Sequence, residues 1–347
     1  MEEVEYEFES KFNERYSLVA RKIIRMLSEN SRISNTEIAK KLGVTRQAVA
    51  KRLARLEKEF GIHYTIELNE EALGLVNPHL ILVKFGEKPD YEHVRTLLCR
   101  SHIPQFAATI KGGYDMLIYA NSVSRSAYAH WDKGMQVLLA DYKASWYPSE
   151  IAHKQLGFFP IRNEMLDRAE IDDRYKKIIK FLDQDSRASF REMAEKLGMQ
   201  FHILVYNFKK LLKTNYIRRF TIVEKPVANT VMMYYFAKLT LTGLFAQCAA
   251  NARKALMYDD QYPLVSRYSF CSQLIGSGDF FVMGVFDNKK VGYRNGVLYY
   301  KNAMESQKAK INYGIIDKVL VGSMPLRSVD EKKEYHVLEW NPELAPE

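Results

Sequence analysis

Near the start of the chain, Gln47, Lys51, Arg55 and Lys58 recur at steps of four, four and three residues. On a helix that spacing gathers them along one face, with Arg46 and Arg52 on its flanks. Val49, Leu53, Leu56 and Phe60 fall on the opposite face. Apart from Gln47, the polar set is cationic. Its guanidinium, ammonium and carboxamide groups are hydrogen-bond donors suited to base edges in a major groove and to the phosphates beside it.

The flanking residues read as scaffolding for that face. Leu18, Ile23, Ile24 and Leu27 have helical spacing within Arg15–Asn30, and Asn35 is placed to cap a short second helix. Gly43 suits a turn of positive φ, and Thr45 caps the helix that carries the basic face. Between Tyr16 and Ile66 eleven Lys and Arg stand against four Asp and Glu, a net charge of +7. Opposite phosphates, such an excess supplies affinity that weakens as salt rises. The stretch IHYTIELN that follows predicts a strand forming a wing beside the helix.

The same scaffold is written again 155 residues later. Lys22–Gly43 aligns with Lys177–Gly198 without a gap, and 12 of the 22 positions are identical, among them Ser31, Arg32, Ser34, Leu42 and Gly43. Chance would give about one or two, so the sequence implies an internal duplication. The pattern continues: HLILVKFGEKPDYEHVRTLLCR is matched by MYYFAKLTLTGLFAQCAANARKAL, each a strand, a turn and a helix. FAATIKGGYDMLIYA is matched by CSQLIGSGDFFVMGVF, each two strands joined by a tight glycine turn. An amphipathic helix (about Ser124–Ala140, then about Val291–Lys308) and a last strand complete each copy. The expected fold class is α+β, two winged helix-turn-helix domains alternating with two ferredoxin-like β-α-β-β-α-β domains. The boundaries are 12–75 and 168–226 for the heads, and 76–165 and 227–335 for the sandwiches.

Composition bounds the partners. The 347 residues carry a formal net charge of +9 and are 47% hydrophobic, which fits a soluble protein of several domains with an anionic partner. Cys99, Cys248 and Cys271 are odd in number and scattered, so a reducing, cytoplasmic setting is expected rather than a disulfide framework. MEEVEYEFES lacks the apolar core of a signal peptide. Val231–Ala250 is long enough to span a bilayer, but Lys238, Gln247 and Gly243 interrupt it, which suits a buried strand leading into a helix. Cys99 and His102 form a C-x-x-H pair without a second pair at zinc spacing. No phosphate loop, nucleophile elbow or dinucleotide fingerprint occurs, so neither cofactor nor metal nor enzymatic role is expected.

SNTEIAKKLGVTRQAVAKRLARLEKEFGIHYTIELNEEALGL, followed by a sandwich containing GGYDMLIYA, resembles the Lrp/AsnC (feast/famine) transcription regulators of bacteria and archaea. The resemblance implies a winged helix-turn-helix joined to a ferredoxin-like effector domain, here present twice. It places DNA-reading roles on Thr45, Arg46, Gln47, Lys51, Arg52 and Arg55, next to Lys58 on the same basic face. It also places an amino-acid effector site near the glycine-aspartate turns, Gly112, Gly113 and Asp115 in one copy and Gly276, Gly278 and Asp279 in the other. Hairpin geometry alone also accounts for those turns. Double-stranded DNA and a homodimeric partner are expected, with no membrane.

The second head keeps its core face at Leu204, Phe208 and Leu211, while Arg46, Gln47, Lys51, Arg52 and Arg55 become Phe201, His202, Tyr206, Asn207 and Lys210. Phe201, Ile203, Val205 and Tyr206 then leave apolar surface on a helix that should be exposed, either for docking or for packing on the neighbouring sandwich. Lys209, Lys210, Lys213, Arg218 and Arg219 remain as weak DNA contacts. Two other classes stay open. One is an adaptor that recruits transcription machinery. The other is an enzyme similar to the sirohaem decarboxylases, which share this architecture and would need residues such as His130, His153 and Arg267 in the cleft between sandwiches.

Overall fold

The computed structural model describes residues 18–224, 231–238, 268–286, 289–292 and 310–325. In chain order the first half contains α1 (Leu18–Glu29), α2 (Asn35–Leu42), α3 (Arg46–Phe60), β1 (Ile62–Leu68), β2 (His79–Phe85), α4 (Tyr91–Cys99), β3 (Pro104–Gly112), β4 (Met116–Ala120), α5 (Arg125–Leu138) and β5 (Ala144–Leu156). The second contains α6 (Asn163–Arg168), α7 (Asp173–Gln184), α8 (Phe190–Leu197), α9 (Phe201–Leu211), β6 (Ile217–Glu224), β7 (Val231–Lys238), β8 (Tyr268–Gly276), β9 (Phe280–Phe286), the short α10 (Lys289–Gly292) and β10 (Lys310–Val321). The fold is mixed α and β. The helix expected after β7, most of Val291–Lys308 and the boundary at 226–230 lie outside the described residues, as do Cys248, Arg267 and the side chain of Cys271.

Local chemistry sets the first head. Ser34, one residue before the expected cap, is the N-cap of α2, because it keeps an extended backbone while Asn35 is already helical; its Oγ accepts from the Glu37 N–H at 3.1 Å. Gly43 ends α2 at φ 65°, and Thr45 Oγ1 accepts from the Ala48 N–H at 3.1 Å to start α3. Ile23, Leu27, Ile38 and Val49 are fully buried between the three helices. The second head repeats the plan: Ser189 caps α8, Gly198 ends it at φ 61°, and Ile178, Leu182, Met193 and Leu204 are buried.

The wing expected beside α3 has a partner. β1 pairs antiparallel with β6, with Thr65 opposite Thr221, so each strand completes the other head. Ile222 of β6 enters the core of the first head, and Ile66 of β1 enters the core of the second. The contacts around this ribbon are reciprocal. Ser31 and Ser186 share a hydrogen bond of 2.6 Å. Thr65 Oγ1 donates to the Asp183 carbonyl at 2.8 Å, and Thr221 Oγ1 to the Ser28 carbonyl at 2.9 Å. Arg32 Nη1 donates to the Ser186 and Ala188 carbonyls at 2.7 and 3.3 Å, while Arg187 Nη2 reaches the Ile33 carbonyl and Asn35 Oδ1 at 3.3 and 2.7 Å.

The other eight strands form one closed barrel in the order β10-β3-β4-β2-β5-β8-β9-β7. Expected in two ferredoxin-like domains, they join edge to edge at β5–β8 and at β10–β3. The physical reason is that β5 and β10 are long, 13 and 12 residues, and each pairs with two neighbours, leaving no bare edge to solvate. Each half runs in the same order: its second, third, first and fourth strands. Phe106, Tyr119, Phe159, Tyr234, Phe270 and Phe281 fill the interior. Outside, α4 and α5 cover β2 to β4 through Val94, Leu98, Trp131 and Met135. Glu70, in the connection from β1 to β2, ties the heads to the barrel: it accepts from Tyr119 OH and from Lys154 Nζ, both at 2.7 Å, and from Asn121.

Candidate nucleic-acid interface

α3 presents the basic face outward. Val49, Leu53 and Leu56 are buried, whereas Thr45, Arg46, Gln47, Lys51, Arg55 and Lys58 are exposed; the side chain of Phe60 lies outside the described residues. Arg52 is half-buried and donates to the Ala48 carbonyl one turn earlier at 3.4 Å, so its charge lies along the helix. One helix thus gathers seven candidate residues. It can lay a rod of donors into a groove about as wide as itself, with Gln47 and Arg55 able to meet base edges and the ammonium groups able to meet phosphates.

α9, the corresponding helix of the second head, has different chemistry. Leu204, Phe208 and Leu211 are buried, and so is Asn207, which donates to the Ile203 carbonyl at 2.9 Å. Phe201, Ile203 and Tyr206 are exposed. Of the five cations expected there, Lys209, Lys210 and Lys213 are exposed, as is Arg218, while Arg219 is half-buried. Arg218 and Arg219 instead face the buried Glu67 of β1, Arg218 at 3.4 Å, and so belong to the ribbon between the heads. Sequence reasoning missed this pair and the Arg32–Arg187 lock. The signal was present in the repeat, where Arg32 and Arg187 are identical at the offset of 155.

The two glycine turns sit at opposite joints of the barrel and are not brought together. Gly112 has φ 155° where β3 meets β10, and a Cβ there would run into the Tyr313 carbonyl. Gly276 has φ 132° where β8 meets β5, with the Pro148 carbonyl in the same position. Asp115 accepts from the Phe85 N–H at 2.8 Å and pairs with Lys84 at 3.1 Å; Gly278 donates to Ser149 Oγ at 3.1 Å, and Asp279 lies 3.3 Å from Lys238 Nζ. A cleft of about 620 Å³ opens at the first joint, lined by Lys111, Gly112, Gly113, Lys289, Lys290 and Asn312 among others. His130 is exposed on α5 and His153 half-buried on β5. Among the described residues, no three His, Cys, Asp or Glu side chains are arranged to hold a metal, and no helix is long and apolar enough to cross a membrane.

The model of the AsnC-type helix-turn-helix domain matches residues 20–57, which covers α1 to most of α3. An uncharacterised HTH-type transcriptional regulator of Pyrococcus furiosus is 35% identical over 107 residues, 30% of this chain and 71% of that protein. The HTH-type transcriptional regulator LrpA of Pyrococcus horikoshii is 47% identical over 116 residues, 30% of this chain and 82% of its own length. The chain belongs to the Lrp/AsnC family. These family relatives each match less than a third of it. A solved structure of the siroheme decarboxylase NirDL aligns with 90% of this chain and 95% of its own, at a TM-score of 0.55 and 10% identity. At that identity the likeness concerns the fold, which this family member therefore shares over most of its length.

Proposed function

We propose that this chain is a DNA-binding transcription regulator in which α3 reads duplex DNA in the major groove and the second head serves assembly or docking. The observation that carries the reading is the division of α3 into a buried apolar side and an exposed side bearing Arg46, Gln47, Lys51, Arg55 and Lys58. The names of the Pyrococcus relatives support it.

The finer organisation is part of the same proposal. One chain is a fused pair of Lrp-like units, heads at 12–75 and 168–226 and ferredoxin-like domains at 76–165 and 227–335. The reciprocal contacts at Ser31 and Ser186, Arg32 and Arg187, and Thr65 and Thr221 support this, as does the repeated strand order. An amino-acid effector would use the cleft beside Gly112 and Gly113, where Lys289 and Lys290 offer charge to a carboxylate while Lys111 is paired with Asp317. A second chain would supply a second working α3 for a palindromic site.

The test is selection of duplexes from a random pool by the full chain, repeated with Gln47→Ala. An enriched motif whose preference relaxes at one or two base pairs in the variant supports the reading. A pool that returns no motif, with binding insensitive to salt, overturns it.

A further inference from the structure

On α9 an apolar stripe replaces the chemistry of α3 at matching positions. Phe201, Val205 and Leu212 fall on one side of the helix, and their counterparts 155 residues earlier are Arg46, Ala50 and Glu57. Phe201 is 56% exposed, Leu212 47% and Tyr206, on the outward pole, 57%. The core of the second head is complete without them, because Leu204, Phe208 and Leu211 are buried to 5% exposure or less. Keeping large apolar groups in water on a helix whose fold does not need them marks a contact surface.

The surrounding charge narrows the occupant. Lys209 and Lys213 flank the stripe, and Lys210 stands 4.7 Å above the Tyr206 ring. The nearby acid Asp172 is taken up by Arg174, at 3.0 and 2.6 Å. The rim is therefore positive. Two copies of α9 facing each other would bring like charges together, which disfavours self-association through this face. A DNA groove offers charge complementarity but no apolar surface for Phe201 and Leu212 beyond thymine methyl groups.

We infer that α9 is a recognition helix for another protein, one presenting an apolar surface with an acidic rim. This rests on the reading of the second head as a docking copy. Phe201 and Tyr206 supply anchors of large area and few torsions, and the lysines supply orientation and on-rate.

The probe is a synthetic amphipathic peptide with leucine and phenylalanine on one face and glutamate on the other. Its lysine counterpart serves as control. Binding to the full chain is read by fluorescence anisotropy and by hydrogen-exchange protection of α9. The expected result is protection of α9 by the glutamate peptide, with at least tenfold weaker affinity for the lysine peptide and for the Phe201→Ser/Tyr206→Ser chain. Both substituted positions are exposed, and an unchanged melting temperature verifies that the variant folds. Equal binding of the two peptides, or protection confined to α3, overturns the proposal. So does a self-association of the wild type that the variant loses, which would make the occupant a second copy. Loss of affinity for a selected duplex in the variant would make the occupant DNA and also refute a docking second head. Intact duplex binding without peptide binding defeats this proposal alone and leaves the regulator reading standing.

Discussion

Replacing Arg46 and Lys51 together by alanine removes two exposed charges from α3 and leaves Val49, Leu53 and Leu56 in place. Alanine is the strongest helix former, so the scaffold should survive. If each cation neutralises one phosphate, each contributes about 0.9 to the slope of log affinity against log salt, and the pair about 1.8. Between about 50 and 200 mM salt the wild type would then lose about 12-fold more affinity than the variant. The assay is duplex binding over a salt series, with Lys209→Ala/Lys210→Ala in α9 as the matched control of equal charge loss. The expected outcome is a slope reduced only in the α3 variant. An unchanged slope there would refute α3 as the phosphate-facing helix. Equal reductions in both would refute the division of labour between the heads.

Three further outcomes follow from the packing. Arg32→Ala removes two charged hydrogen bonds, to the Ser186 and Ala188 carbonyls, and should cost about 3 kcal/mol in a urea titration; a loss below about 0.5 kcal/mol would mean that the heads are held together without it. Gly112→Ala places a methyl group against the Tyr313 carbonyl at a backbone angle that side chains rarely adopt, and should destabilise by about 2 kcal/mol or more, read as a lowered melting temperature. His79 is buried against Tyr128, their rings stacked at 3.6 Å, and burial holds its pKa below the ordinary 6.5. The folded state thus keeps it neutral while the unfolded chain takes up the proton. Its contribution to stability is full above about pH 6.5 and falls as pH drops through 6.5 toward the lower folded value. His102, lowered by burial and by Arg168, adds in the same direction. Urea midpoints at pH 7.5, 6.5 and 5.5 should fall more steeply for wild type than for His79→Gln/His102→Gln, which is expected to show the flatter curve; parallel curves would mean that this assignment is wrong.

The heads were legible because their signals are local. Capping side chains, positive-φ glycines and 3.6-residue periodicity act within a turn or two, so Gly43, Thr45 and the two faces of α3 emerged from spacing alone. The one-residue error at Ser34 and Asn35 reflects how two adjacent residues of similar capping power differ only in which keeps an extended backbone. The exposed state of Phe201 and Tyr206 was not legible, because burial on a helix depends on what lies opposite it. The sequence reading favoured docking there over packing on the neighbouring sandwich, and periodicity alone does not decide between them.

By itself, the amino-acid order carried the 12 identities between Lys22–Gly43 and Lys177–Gly198, the helices of the two heads and the outward basic face of α3. Each follows from interactions a few residues long or from the plain identity of residues 155 apart. Only the tertiary structure decided how the copies combine: β1 pairing with β6, Ser31 meeting Ser186, Arg218 and Arg219 turned toward Glu67, and eight strands closing into one barrel through β5 and β10. Strand partners are chosen by the cost of bare edges and by the fit of two surfaces distant along the chain. A strand's own sequence states that it will pair, while its partner is settled when the whole chain is packed.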